Sequence, residues 1–573
     1  MVGCAKFRFV IVVGSLAELI SIVAIMVVSG SPLANATVAL TVNGAVVTMT
    51  WQELGKALAQ SPADATTAGA LDLFWLLFGG MMIFFMILGF ALLEVGCCHV
   101  KNTKHILFRN LMDLCITGIT FYAVGYGLAF SDGDGFIGHS RFFLQGQDAF
   151  QTDDALTFHG HHYADWFFQW TVAAVCVTIF SGAVAERITM QAYFLYSFLM
   201  GAFFYPVAAH WIWSPTGWAS VLAPTSSLLF GVGAIDFAGC GCIHMVGGMS
   251  ALVGCLVVGP RAGRFNADGT ANEMPKQSVM FQCMGTLVLW FGWYGFNCVS
   301  TLSLTGTMGH VMAKVAVNLT LAACTGGVLT VLLDKLAGSR TWDPCMGNNG
   351  ILAGCVSITG SCSVIEPEGA VALGAIAAVL YLSLSKLVVK LRIDDVVDAI
   401  PVHLGCGTLG AVAPGFFASS KGVAMYVGTG SCGVFYRCNG LHGSQLAAQV
   451  VYVLAIAGWV GTFCAVLFLT LKKLKMLRPD PATEVLGLDV VEHGGPAYDD
   501  GRECHTTHSE VQPASSESGN ASTHTKSREI DHGDQCHHEM RAPSTAAGKQ
   551  NNDTIHIEVE RGGDDLLPGS PST

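Results

Sequence analysis

The feature that most constrains this chain is the recurrence of long apolar runs between Leu71 and about residue 471. There are eleven, with approximate limits 71–96, 104–130, 164–185, 190–213, 237–259, 277–300, 308–333, 349–365, 369–391, 402–420 and 446–471. A helix of about twenty residues crosses a ~30 Å hydrocarbon core. Only 12% of the residues are charged and 52% are hydrophobic, whereas soluble domains carry about 25% charge. The expected fold class is therefore an all-α polytopic membrane protein with eleven transmembrane helices.

The loops set the orientation. Lys101, Lys104 and Arg109 follow the first run, Arg187 the third, and Arg261, Arg264 and Lys276 the fifth. Lys335 and Arg340, Lys390 and Arg392, and Lys472 to Arg478 follow the seventh, ninth and eleventh. The alternate loops are acidic, with Asp132, Asp134, Asp148, Asp153, Asp154, Glu366 and Glu368. The positive-inside rule then puts the N-terminus outside and the C-terminus in the cytosol. No basic footprint for nucleic acid is present.

Residues 1–36 read as a signal peptide or signal anchor: Lys6 and Arg8, an apolar run from Phe9 to Val28, and an Ala34-Asn-Ala36 ending. Residues 37–70 are a polar, outward segment and 71–471 the membrane domain. A tail motif occupies 472–500. Residues 501–573 have too little apolar surface to fold, and their histidines (His505, His508, His524, His532, His537, His538) read as a solvated tail. Cys432 and Cys438 share an outer loop where a disulfide is possible.

Two runs stand apart because each holds one histidine at depth. His244 lies eight residues after Asp236, and His403 eight after Asp395. At 1.5 Å per residue, a helix from Asp236 puts His244 ~12 Å along, near the midplane. Gly248 and Gly407 follow four residues later, and Ala251 and Gly410 seven later. Such spacing lets two membrane helices approach closely. The fifth and tenth runs are antiparallel, each closing a five-span half, which suits inverted repeats with a midplane site. Buried ionisable groups there are functional candidates. Cys240, Cys242 and His244 invite a metal reading, but residues two apart on a helix point different ways, so they are read as packing.

Several local runs now resemble one family. Phe168-Gln-Trp170, Ser181-Gly-Ala-Val-Ala-Glu186-Arg187, Pro206-Val-Ala-Ala-His210-Trp-Ile-Trp213, Asp236-Phe-Ala-Gly239, Gly292-Trp-Tyr-Gly-Phe296-Asn297-Cys-Val-Ser300, Asn349-Gly-Ile-Leu-Ala-Gly354 and Asp394 through His403 resemble the Amt/Mep ammonium transporters. The resemblance implies two inverted five-helix repeats plus an eleventh helix, a homotrimer in the plasma membrane, ammonium or methylammonium as substrate, and no cofactor. It assigns His244 and His403 to a hydrophobic pore, Trp213 and Ser300 to an outer recruitment site, Phe296 to a gate, and Asp236 to vestibule support. The second gate phenylalanine is expected at position 172, where Val172 stands; Phe168 is the candidate to fill part of that gap. The run from Gly487 to Tyr498 resembles the regulatory motif of plant members, with Val491 in place of a phosphorylatable threonine. Leu486, Leu488, Val490 and Val491 are expected to pack this motif against the cytosolic loops.

The chemistry of these residues agrees with that reading. An aromatic face attracts a desolvated cation by about 2 kcal/mol, and a serine oxygen accepts an N–H bond. Paired imidazoles can pass a proton that ammonium can shed and potassium lacks. Three rivals remain: a Rhesus-like neutral gas channel, an ammonium sensor signalling through its tail, and a membrane enzyme, for which no nucleophile–base spacing or ligand set is visible.

Overall fold

Lipid forces each apolar run to satisfy its own backbone, and the chain answers with helices. The computed structural model describes residues 37–42, 45–50, 65–146, 161–428, 430–438 and 443–498. The expected signal segment and the far tail lie outside the described residues. Ten helices among the described residues are long and apolar enough to cross a membrane. They are α1 (Thr67–Cys97), α2 (Val100–Phe130), α3 (His162–Ala183), α4 (Met190–Trp213), α5 (Cys240–Val258), α6 (Val279–Val299), α7 (Met308–Leu336), α9 (Pro367–Lys390), α10 (Ile400–Phe417) and α11 (Ser444–Lys473).

The eighth expected span, 349–365, is instead a 16-residue helix, α8 (Pro344–Thr359). Its length of ~24 Å falls short of a bilayer core. The reason lies at its end, where the carbonyls of Thr359 and Gly360 accept hydrogen bonds from the N–H groups of Ala238 and Phe237. That backbone pairs with the stretch entering α5 rather than continuing as helix. Two elements among the described residues are not helical: Thr37–Val42 (β1) and Ala45–Thr50 (β2) form an antiparallel hairpin in the segment expected only to be polar.

The direction of the central helices follows from their end contacts. Thr189, before α4, donates its N–H to Leu477 near the tail, whereas Trp213 at the other end of α4 donates to the carbonyl of Asp236, just before α5. The far end of α5 returns to the tail face, where Arg478 donates to Val258. The approach to α10 sits there too, since Asp394 accepts from Arg261. Thus α5 and α10 start at opposite faces and run antiparallel.

The tail face is tied together by charges that are almost entirely removed from water. Arg261 bridges Glu186 (2.5 Å) and Asp394 (2.9 Å), with side-chain exposures of 7%, 5% and 1%. Arg187 adds a hydrogen bond to the Asp394 carbonyl, and Asn102 donates to Glu186 at 2.9 Å. Burial alone would push the Asp394 carboxyl up. The hydrogen bonds from Arg261 and the charges of Arg187 and Arg261 outweigh it, and the group sits at about 2. A carboxyl held below its unfolded value of 3.8 adds stability above that pH and loses it as the pH falls toward 2. Removing one partner leaves a buried charge unpaired, which costs about 3–5 kcal/mol. Asp394→Asn and Arg261→Ala should therefore lower the unfolding temperature of the detergent-purified protein at pH 7. For Asp394→Asn the deficit should shrink as the pH falls from about 4 through about 2; an equal deficit at pH 7 and at about pH 2 would remove the network from the account.

Candidate functional site

Two acids, spaced alike from their histidines, begin the site. Asp236 Oδ1 accepts from the N–H of Cys240 (2.7 Å), and Oδ2 from Gly241 (2.8 Å), Cys242 (3.1 Å) and the Tyr452 hydroxyl (2.9 Å). It caps the first turn of α5, where N–H groups lack helical acceptors. Burial nevertheless pushes its carboxyl above the usual range. Asp395 does the same for α10, accepting from Ile400 N–H at 2.6 Å. Burial and the neighbouring Asp398 raise the Asp395 carboxyl to about 7.

Both helices then open with a π turn, Cys240–Met245 and Ile400–Gly405. Such wide turns are rare and concentrate at functional sites. Each contains the histidine. Because α5 starts at Cys240, with Gly239 before it at φ 100°, His244 lies roughly one turn from the helix start, not the ~12 Å expected of a helix from Asp236. The helix begins inside the protein, so both histidines stand near positive helix ends.

The two rings meet. His244 Nδ1 and His403 Nδ1 are 3.2 Å apart, and the ring centroids 5.3 Å. His244 is fully buried and His403 nearly so. Trp293 stacks on His244 (5.3 Å, 23°) and Phe296 lies 5.8 Å from it; Phe90 approaches His403 at 6.3 Å. The Nε2 of His244 has no hydrogen-bond partner among the described residues. One shared proton on the Nδ1 pair leaves one ring with a free Nε2 acceptor and the other with an Nε2–H donor.

Glycines make the contact possible. A Cβ on Gly248 would stand 2.3 Å from the Leu404 backbone nitrogen, and one on Gly410 2.3 Å from Cys240 Sγ. On Gly407 it would stand 3.0 Å from the Cys240 carbonyl. These are the positions picked out by spacing.

The remaining expected residues lie around this core. Trp213 ends α4 and Ser300 follows α6, which enters from the tail face, so both reach the face where α5 begins. The Trp213 N–H is committed to the Asp236 carbonyl at 2.8 Å, leaving its ring face. Ser300 donates to the Phe296 carbonyl at 2.8 Å, leaving its oxygen lone pairs. Phe168 and Val172 sit one turn apart on α3, both buried, outside the ring cluster of His244, Trp293 and Phe296. Cys240 turns its thiol toward the Val356 carbonyl at 2.9 Å. Trp293 and Tyr452 escaped the sequence reading. Trp293, three residues before Phe296 on the same helix face, carried the one available signal.

Below His403 a cavity of about 20 Å³, bounded by Phe90, Glu94, Asn349 and Leu352, has room for one water. A larger cleft of about 760 Å³, lined by Lys276, Asp343, Asp395 and Asp398, lies at the tail face. Cys432 and Cys438 are disulfide-bonded.

The tail motif docks on this face through α12 (Pro481–Leu486) and α13 (Leu488–Glu492). Lys101 donates to the carbonyls of Glu484 and Val485, Asn102 accepts from Leu488 N–H, and Asp489 accepts from the N–H groups of Lys104 and His105. The apolar rationale holds for Leu488, which is fully buried, and fails for Leu486 and Val491, which are 58% and 49% exposed. Side-chain hydrogen bonds to main-chain groups carry the docking where those apolar side chains do not.

The model of the Ammonium Transporter Family matches residues 74–498. The chain is 37% identical over 452 residues to ammonium transporter 1 member 3 of Solanum lycopersicum, covering 77% of this chain and 95% of that one. It is 39% identical to ammonium transporter 1 member 1 of Arabidopsis thaliana, covering 71% and 81%. Among solved structures, one named Sensor Amt Protein has a TM-score of 0.65 at 32% identity, covering 74% of this chain and 99% of that one. Candida albicans Mep2 has a TM-score of 0.62 at 26%, covering 72% and 87%.

Adding a methyl at Gly248 forces the backbone of α10 away, because nothing flexible can yield. Gly248→Ala should cost about 1–3 kcal/mol and widen the histidine contact. A melting curve in detergent checks the first effect and a structure of the variant the second; an unchanged melting temperature would mean that the helices are not in tight contact.

Proposed function

The chain belongs to the ammonium transporter family, and from that premise we propose that it recruits NH₄⁺ at its outer face and passes it, with deprotonation, through a hydrophobic pore lined by His244 and His403. The observation that carries this reading is the 3.2 Å contact between the two Nδ1 atoms inside an apolar ring cluster. Moving an intact cation through such surroundings forfeits its hydration at a cost of many kcal/mol. A species able to leave its proton behind avoids most of that cost.

The steps follow from the groups in order. The ring face of Trp213 attracts the cation, worth about 2 kcal/mol once it is desolvated, and Ser300 accepts one of its N–H bonds. Asp236 does not touch the ion; its oxygens are already taken by the α5 N-terminus and Tyr452, so it holds the vestibule in shape. Phe296 closes the path above His244, and Val172 leaves the expected second gate position small. The free Nε2 acceptor of the histidine pair takes a proton or a hydrogen bond from the passing nitrogen, and the Nε2–H donor of its partner steadies the neutral molecule. The pair can hand a proton across the Nδ1 contact without either ring leaving its place.

The disulfide at Cys432 and Cys438 favours an oxidising outer side for that loop, and the basic loops at the tail face favour the cytosol. On this reading α8 is the eighth of eleven spans, and the protein is a homotrimer of the plasma membrane. A second reading, an ammonium sensor, rests on the hydrogen-bonded route from Leu488 through Asn102 and Glu186 to Arg261, which joins the tail to the approach of α10.

His244→Ala and His403→Ala should each reduce methylammonium uptake at least tenfold, or uncouple it from ion selectivity, while the protein still purifies as a folded trimer. Uptake with simultaneous current recording, in cells lacking their own transporters, decides the matter. Wild-type flux and potassium exclusion in both variants would refute the paired-histidine mechanism.

A further inference from the structure

The tail motif ends in a cluster that transport does not use. His105, near the start of α2, is fully buried. Its Nδ1 lies 3.2 Å from Glu492 Oε2 and 3.3 Å from His493 Nε2. The three ligand atoms all lie within 4.8 Å of one another, and no other group of this kind occurs among the described residues. Three potential metal ligands are thus brought together from two separate parts of the chain.

Hydrogen bonding serves this arrangement poorly. A neutral imidazole Nδ1 can donate one proton to Glu492 or accept one from His493, but not both. A metal ion serves it well. Ligands held ~2.0–2.1 Å from a tetrahedral zinc ion stand roughly 3.3–3.4 Å apart, close to the two observed edges. Two imidazoles and one carboxylate with an open fourth position form a recurrent zinc donor set, and imidazole also suits cobalt, nickel and copper. Glu492 and His493 are partly exposed, so an ion can enter from solvent. The backbone beneath is already pinned, because Asp489 accepts from His105 N–H at 2.9 Å while its carbonyl accepts from His493 N–H at 3.1 Å.

We propose that His105, Glu492 and His493 form a binding site for a zinc-class transition-metal ion, which clasps the tail motif to the start of α2. The ion makes tail docking depend on metal supply as well as on the backbone hydrogen bonds of Asp489 and Leu488.

The test uses the full-length protein, stripped with a chelator and titrated with Co²⁺, whose visible bands report tetrahedral coordination. The wild type should take up one more Co²⁺ per subunit than the Glu492→Gln/His493→Ala variant, with tetrahedral bands that Zn²⁺ abolishes and the variant lacks. The far-tail histidines are present in both proteins and cancel in the comparison. Chelator should also speed proteolysis of the wild-type tail without further effect on the variant. Equal metal uptake and equal spectra in the two proteins would overturn the proposal. So would a wild-type tail whose proteolysis is indifferent to chelator, because a proton-mediated His105–Glu492 contact would then suffice.

Discussion

The contact between His244 and His403 sets terms for the rest of the structure. Two imidazole nitrogens at 3.2 Å require their helices to touch backbone to backbone, which only small residues permit. Gly248, Gly407 and Gly410 stand at those places, and no side chain fits at Gly248 or Gly410 without moving the neighbouring helix. The rings must also point at one another from antiparallel helices. Both helices achieve this by starting inside the protein and opening with a π turn. A helix that starts in apolar surroundings leaves N–H groups without acceptors, so each needs a buried cap. Asp236 and Asp395 are those caps.

The buried charges at the tail face extend the same logic. Asp394 stands next to the cap of α10 and is held by Arg261, which also holds Glu186. Ion pairs out of water seldom add net stability, yet they penalise every arrangement that separates them. The approach to α10 is thereby locked to the ends of α3 and α5. Through Asn102 the lock continues to Leu488 in the tail. A contiguous chain of hydrogen bonds thus runs from the Leu488 N–H in the tail to Asp394, the neighbour of the cap on the helix that carries His403.

Much of this was legible in the residues. Hydropathy located ten of the eleven expected membrane helices, and the matching offsets of His244 from Asp236 and His403 from Asp395 marked the pair that the structure brings together. Small residues four and seven places on marked the helix contact. Other features left no periodic trace. A π turn adds one residue per turn and leaves composition unchanged, so the late start of α5 at Cys240 was hidden, and with it the true depth of His244. The shortness of α8 depends on carbonyls of Thr359 and Gly360 that pair with a distant stretch, which hydropathy does not register. Tail docking was assigned to apolar side chains because those can be read from a sequence. The hydrogen bonds that the side chains of Asp489, Asn102 and Lys101 make to main-chain groups cannot. Trp293 was in plain view within the Gly292–Ser300 run, but its full burial, its N–H bond to Thr359 and its stacking on His244 appear only in the structure.

The account turns on whether the nitrogen gives up a proton on the way through. Methylammonium flux into liposomes containing the purified protein, compared in H₂O and D₂O at matched ionic strength and viscosity, measures this directly. Proton transfer at the histidine pair predicts slower flux in D₂O at saturating substrate, with the difference shrinking or vanishing in His244→Ala. Equal saturating flux in the two solvents for the wild type, with potassium still excluded, would contradict deprotonation as the limiting event and favour passage of the intact ion.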